Sequence, residues 1–327
     1  MMQRWGGFLV LFYLVGCATP LEQSLGPASD TPTLEQGIFT SADGKKLAVQ
    51  VWNAEAPEAV MVGLHGMNDY AKTFEMPGPW FSDHAITTYA FDQRGFGRSP
   101  QPGIWPGSDL LINDARTFIR LVRNRHPNLP IYVLAVSMGG AAAISMFAEQ
   151  DTPQIDGLIL VAPAVWGWSV MNPIYKAALW FAAHTFPQAQ FTGESLDILP
   201  SDNLEMLRDN YYDDLMIKKT RTDAIYGLVG LMDKGYLSVE QVSVPTLVLY
   251  GEKDQIIPRK PVEDILGRIG GPTRVVEYKN GYHMLLRDLQ AEVVWQDIAA
   301  WIKDPLGDLP SAEEHQKSAD RLRLSTN

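Results

Sequence analysis

Three residues carry the chemistry that this sequence offers: Ser137 in Ala-Val-Ser-Met-Gly-Gly, Asp254 in Tyr-Gly-Glu-Lys-Asp and His283 in Gly-Tyr-His-Met. A serine hydroxyl is a weak nucleophile until a base takes its proton. An imidazole with a reference pKa of ~6.5 can do that, and a carboxylate can orient the ring and stabilise the imidazolium. A serine between an apolar run and a small-residue helix, followed by an aspartate and then a histidine, points to acyl transfer. Glu252 competes with Asp254 for the carboxylate role. His84, His126, His184 and His315 lie in helical or connecting segments without a matching context.

Acyl transfer also needs donors aimed at the oxygen that becomes negative in the transition state. His65-Gly66-Met67-Asn68-Asp69 follows an apolar run ending at Leu64. The backbone N–H groups of Met67 and Met138 are expected to face one cavity as the oxyanion hole, and Gly66 permits close backbone approach. His65 reads as structural, because His283 already fills the base position.

These residues must be positioned by the elements before them. Ile38 to Thr40 and Leu47 to Trp52 read as a hairpin around Asp43-Gly44, and strands are expected at 59–64, 86–91, 131–136, 158–161, 246–250 and 273–277. Most are apolar runs without alternation, as in a parallel sheet covered by helices on both faces. Amphipathic helices are expected over 109–125, with Ser108 as N-cap, and over 289–303, stopped by Pro305. The fold class is therefore α/β, a doubly wound and mostly parallel sheet. Ser137 falls on the sharp turn between strand 131–136 and a helix beginning at Met138. Gly139 fills the second glycine position of G-x-S-x-G and Ala135 replaces the first. A serine in that position is also a common helix N-cap, which is the competing reading.

Between Pro163 and about Glu240 the strand signal disappears and helical patterns replace it, so an inserted helical subdomain is expected. Asn172-Pro173 opens one of its helices, and another over about 221–234 carries Ile225, Leu228, Val229 and Met232 on one stripe. Packing against the sheet accounts for most such stripes. The aromatic density near the start, with Trp166 and Trp168 as candidate substrate contacts, makes an apolar acyl-binding lid a second expectation.

The 327 residues, 46% of them hydrophobic, suffice for one large core plus that insertion. A formal charge of -11 excludes nucleic acid as an expected partner, because phosphate-backbone binding requires clustered Lys and Arg. The N-terminus carries Arg4, an apolar stretch from Trp5 to Val15, and Leu14-Val15-Gly16-Cys17, which resembles the lipobox of bacterial lipoproteins. That resemblance implies a signal peptide at 1–16, a lipidated Cys17 and a membrane-anchored protein of the bacterial cell envelope. Ala18 rather than aspartate after the cysteine suggests the outer membrane. An uncleaved transmembrane anchor is the alternative, but the run falls short of the ~20 residues of a span. Cys17 is the single cysteine, so no intramolecular disulfide is available. The expected organisation is a tether over 17–36, a core over 37–163 and 241–303, a lid over 164–240 and a polar tail over 304–327.

From about Gly37 to Ile302 the chain resembles the α/β-hydrolase superfamily, and within it the monoacylglycerol lipase or lysophospholipase-like branch, also classed with serine aminopeptidase-like hydrolases. His65-Gly66-Met67-Asn68-Asp69 is similar to the family's H-G-x-G-E, with Asn68 in place of Gly; Asn tolerates positive φ better than most non-glycine residues, so the turn is expected to be preserved. Asp92-Gln93-Arg94-Gly95-Phe96-Gly97-Arg98-Ser99 is similar to D-x-R-G-H-G-x-S, with Phe96 for His, and reads as structural. The resemblance implies a serine hydrolase acting on carboxylic esters of monoacylglycerol or lysophospholipid type. An aminopeptidase-like hydrolase on the same fold and a noncatalytic lipid-binding protein are the alternatives. No HExxH, cysteine pair or dinucleotide fingerprint occurs, so neither metal nor organic cofactor is expected.

Overall fold

The computed structural model describes residues 18–27, 31–193 and 197–311. The proposed signal peptide, Cys17 and residues 312–327 of the tail lie outside them. In chain order the strands are β1 (Thr33–Glu35), β2 (Ile38–Thr40), β3 (Lys46–Trp52), β4 (Ala59–Leu64), β5 (Ile86–Phe91), β6 (Ile131–Val136), β7 (Gly157–Val161), β8 (Gln190–Phe191), β9 (Thr220–Arg221), β10 (Thr246–Gly251) and β11 (Thr273–Tyr278). The helices are α1 (Pro77–Asp83), α2 (Ser108–Arg125), α3 (Met138–Phe147), α4 (Pro173–Thr185), α5 (Leu204–Tyr212), α6 (Thr222–Ser238), α7 (Arg259–Leu266) and α8 (Ala291–Lys303).

Nine strands form one sheet in the order β1-β2-β3-β5-β4-β6-β7-β10-β11. The first three strands are antiparallel to their neighbours, and every pairing from β5 to β11 is parallel. The expected doubly wound α/β arrangement is thus present. All six residues of β4, β5, β6 and β10 are buried, which is why their sequences lack polar alternation. Alternate residues of β6 enter different cores. Ile131, Val133 and Ala135 pack beneath α2 and α3, while Tyr132, Leu134 and Val136 pack beneath α1 and α8.

The elements differ from expectation in instructive places. Ser108 is the first residue of α2 rather than its cap; Gly107, at φ 88°, occupies the cap position without a side-chain bond. Asn172 does cap α4, accepting from the Ile174 N–H at 2.8 Å. The segment expected as a tether is docked where it is described. Ala18 N donates to His184 O at 2.8 Å, Gln23 is buried with its amide donating to Ile104 O at 2.9 Å, and 33–35 adds β1 to the sheet edge. The start of the expected tail is docked too, with Leu309 buried and Ser311 N bonded to Asp297. Backbone donors and acceptors satisfied by the body hold these segments down, which local composition does not reveal.

Between β7 and β10 the chain forms α4, α5, α6 and the two-stranded β8–β9 ribbon. This insertion is hydrogen-bonded to the loops that follow both β4 and β11. Asn68 Nδ2 donates to Thr220 Oγ1 at 2.7 Å, Ile217 N to Asn68 O at 3.0 Å, and Met284 N to Pro200 O at 3.0 Å.

Candidate active site

The parallel strands β4, β6, β10 and β11 all end on one edge of the sheet, and each is followed by a segment that sequence reading marked for chemistry. Ser137, between β6 and α3, has φ 50° and ψ -113°. Such a conformation costs ~1–3 kcal/mol and must be held by its surroundings. Three backbone bonds hold it: Ser137 N donates to Val161 O at 3.0 Å, and its carbonyl accepts from Ala141 N at 3.2 Å and Ala164 N at 3.0 Å. Ser137 occupies the cap position of α3, yet its hydroxyl makes no cap hydrogen bond. The capping alternative is therefore set aside, and Oγ is not committed to the helix.

Packing explains the small residues around this turn. A Cβ on Gly139 would lie 2.3 Å from the Leu64 carbonyl oxygen, so only glycine lets α3 start against the end of β4. Ala135, where the motif has its first glycine, is fully buried in β6 with its methyl among core side chains. The departure places a methyl in the core of the sheet rather than in the turn. A Cβ on Gly66 would come 3.2 Å from the Ser137 Cβ, which puts the loop after β4 directly against the serine. Among the described residues, no acceptor takes the N–H of Met67 or of Met138.

Asp254 and His283 are brought together. His283 Nδ1–H donates to Asp254 Oδ2 at 2.8 Å, with the Asp254 side chain wholly buried and only 9% of the His283 side chain exposed. Asp254 Oδ1 accepts from Ile256 N and Ile257 N at 2.8 and 3.0 Å, so the carboxylate is fixed from both ends. With the proton on Nδ1, Nε2 is left as the basic nitrogen. The two loops are clamped by their backbones: Lys253 N donates to Gly281 O at 2.9 Å, and a Cβ on Gly251 would meet that same oxygen at 2.4 Å. Glu252, the competing carboxylate, is exposed.

His65 has the structural role expected of it. Its Nδ1–H donates to Gly66 O at 2.8 Å and its Nε2 accepts from Gln93 N at 2.9 Å, while Phe96 packs edge-on at 5.6 Å. The ring ties the loop after β4 to the loop after β5. In that second loop Arg94 is buried between Asp43 and Asp114, and Asp92 accepts from Ala71 N and Arg98 N. It is a scaffold. Asn68 has φ 65°, the left-handed conformation anticipated for it.

Burial pushes the His65 pKa below its ordinary value, with the Gly66 bond and nearby Asp69 and Asp92 opposing it. The unfolded chain then takes up that proton first, so the stability held by neutral His65 is complete above ~6.5 and is lost as pH falls below it. The melting midpoint is expected to drop from pH 7.5 to 5.5, and His65→Gln to show a shallower drop. An equal slope in the variant would mean that another group titrates.

A buried network that no motif in the sequence marks carries the base loop. Arg287 and Asp69 form a buried ion pair across the loops after β11 and β4. Asp288 accepts from Tyr282 N at 2.8 Å and from Ser201 Oγ at 2.6 Å, joining the residue before His283 to the insertion. Burial raises the Asp288 pKa against the pull of those donors. The Arg287-Asp288 dipeptide begins four residues after His283, but nothing in its spacing names its partners. Trp168, a candidate substrate contact, packs on Tyr226 at 5.1 Å and lines an open cleft of about 400 Å³ with Lys176, Ala177 and Trp180. Neither Ser137 nor His283 lines that cleft. Trp166 is half-buried against the core.

The model of one protein family, described as serine aminopeptidase, S33, matches residues 55–290, a span that contains Ser137, Asp254 and His283. The chain belongs to that family. Relatives of this S33 protein include a monoacylglycerol lipase of Mycolicibacterium smegmatis, 25% identical over 284 residues that cover 83% of this chain and 97% of the relative. A phospholipase of Bacillus subtilis is 25% identical over 265 residues, covering 76% and 97%. Among solved structures, a soluble variant of the Saccharomyces cerevisiae monoglyceride lipase bound to a substrate analogue superposes with a TM-score of 0.71 at 17% identity, covering 86% of this S33 chain and 98% of the yeast one. The fold is that of the α/β-hydrolases.

Proposed function

We propose that this S33 protein cleaves monoacyl lipid esters, of monoacylglycerol or lysophospholipid type, through an acyl-enzyme on Ser137. The chain is a carboxylic ester hydrolase. Support for the narrower substrate comes from relatives named as monoacylglycerol lipase and phospholipase. The observation that carries the mechanism is the Asp254–His283 hydrogen bond on the same sheet edge as a strained serine whose hydroxyl is uncapped.

In this reading Ser137 Oγ attacks the ester carbonyl carbon as its proton passes to His283 Nε2. Negative charge moves to the carbonyl oxygen, where the Met67 and Met138 N–H groups receive it. One such donor is worth ~10² to 10³ in turnover in other hydrolases. Collapse breaks the bond to the alkoxy oxygen, which leaves with the proton from His283. Water, deprotonated by the same nitrogen, then releases the fatty acid and restores Ser137. Asp254 keeps its proton off throughout and pairs with the transient imidazolium. Cys17, by the same proposal, is the lipidated first residue of the mature protein, which anchors the enzyme in the bacterial envelope at the outer membrane.

The family's own description favours a second reading, a peptidase with the same groups. Turnover of p-nitrophenyl esters of increasing chain length and of monoacyl lipids, against aminoacyl anilides, separates the two. Hydrolysis of esters over anilides by at least ~10²-fold in kcat/KM is expected. The opposite preference would overturn the lipid-ester reading, and reaction with short soluble esters alone would leave an esterase without the lipid substrate.

A further inference from the structure

The backbone is tied down on both sides of His283. Tyr282 N, one residue before it, donates to Asp288 Oδ2 at 2.8 Å, and Met284 N, one residue after it, donates to Pro200 O at 3.0 Å. The first of these bonds closes the chain from 282 to 288 on itself through a buried side chain. The second carboxylate oxygen is also taken: Asp288 Oδ1 accepts from Ser201 Oγ at 2.6 Å, and Ser201 is wholly buried. A buried carboxylate with a donor on each oxygen is held in one orientation, and so is the amide it binds.

The same stretch of the insertion reaches further. Asn203 Nδ2 donates to Arg287 O at 3.0 Å, Leu289 N donates to Asp202 Oδ1 at 2.9 Å, and Leu199 N donates to the side-chain oxygen of Gln255, next to Asp254, at 3.1 Å. Residues 199–203 are thus bonded to the loop of the acid as well as to that of the base. The Ser201 bond differs from the others because it ends on the carboxylate that holds Tyr282. Asp254 orients the imidazole through Nδ1, but the place of the ring is set by the Cα that carries it, and that Cα lies between the two tied amides. A reacting group misplaced by ~1 Å can lose ~10² in rate.

We infer that Asp288 is a positioning residue for His283, and that Ser201 makes this position depend on how the insertion is seated on the body. The inference rests on His283 being the catalytic base. Asp288 takes no proton in the reaction; it acts through the Tyr282 amide.

The test compares Asp288→Ala, Asp288→Asn and Ser201→Ala in the full chain, each checked by its melting curve. An asparagine can accept from Tyr282 N and donate to Ser201 Oγ, so it can rebuild both bonds. Asp288→Ala is expected to lower kcat on p-nitrophenyl esters by ~10² with KM within about twofold of wild type, and Asp288→Asn to keep kcat within about fivefold. Ser201→Ala is expected to lose ~10-fold, and the double alanine variant no more than Asp288→Ala alone, because both changes act on one contact. The ring is read apart from turnover by the downfield proton resonance of His283 Nδ1–H, assigned through its loss in Asp254→Asn. It is expected to vanish in Asp288→Ala and to persist in Asp288→Asn.

A folded Asp288→Ala with the resonance and kcat of the wild type overturns the inference. So does an asparagine variant as impaired as the alanine, since charge rather than placement would then be at work. Loss in Asp288→Ala with none in Ser201→Ala keeps the positioning residue and overturns its link to the insertion. If Asp288→Ala does not fold, Ser201→Ala decides, and unaltered kcat and resonance there reject the whole. A wild type that turns over no ester, yet shows the resonance and loses it in Asp288→Ala, rejects the hydrolase reading and leaves the positioning in place.

Discussion

Ser137→Ala is expected to abolish labelling by a fluorophosphonate probe and to lower kcat on p-nitrophenyl esters by ~10⁶, the scale on which removal of an activated serine acts in other hydrolases. The change is expected to leave the fold intact. Among the described residues, every hydrogen bond that Ser137 makes to the body is a backbone bond, to Val161 and from Ala141 and Ala164, and its hydroxyl does not cap α3. The alanine variant keeps all three, so its melting midpoint serves as the control. Retained labelling or substantial residual turnover in a folded variant would place the nucleophile elsewhere. Absence of labelling in the folded wild type would favour a lipid-binding protein without catalysis.

Asp254→Asn is expected to cost ~10⁴ in kcat, again without unfolding. The reason lies in the two backbone donors. Ile256 N and Ile257 N require an acceptor at Oδ1, so the asparagine keeps its oxygen there and turns its NH₂ toward His283. His283 Nδ1 must then accept, the ring proton moves to Nε2, and the nitrogen meant to receive the serine proton already carries one. Glu252→Gln is the matched control. Glu252 is exposed, and its backbone N–H to Tyr278 O survives the change, so activity within about twofold of wild type is expected at a surface site of this kind. A loss at Glu252 with none at Asp254 would exchange their roles.

The sequence by itself determined the buried strands of the sheet and the candidate chemistry, though not the edge strand β1 or the β8–β9 ribbon. The runs at 59–64, 86–91 and 131–136 became β4, β5 and β6 with those same limits, because strands buried on both faces need unbroken apolar side chains. Ser137, Asp254 and His283 were legible because each follows such a run on a short connection, where topology allows little freedom. The small residues at 66 and 139 were legible too, though only the structure shows what they avoid: the serine's Cβ and the Leu64 carbonyl.

Tertiary structure alone decided the rest. Arg287 and Asp69 lie 218 positions apart, and their ion pair depends on how the loops after β11 and β4 meet. The choice of Asp254 over Glu252 rests on a turn that buries one carboxylate and leaves the other in water. The direction in which α4 faces could not be read from its composition. An apolar stripe has a period but no sign, and only contact with the body shows that Ala183 is turned inward while Ile174 and Phe181 are left outside. Chain periodicity records that a face exists; the packing of distant segments decides what it touches.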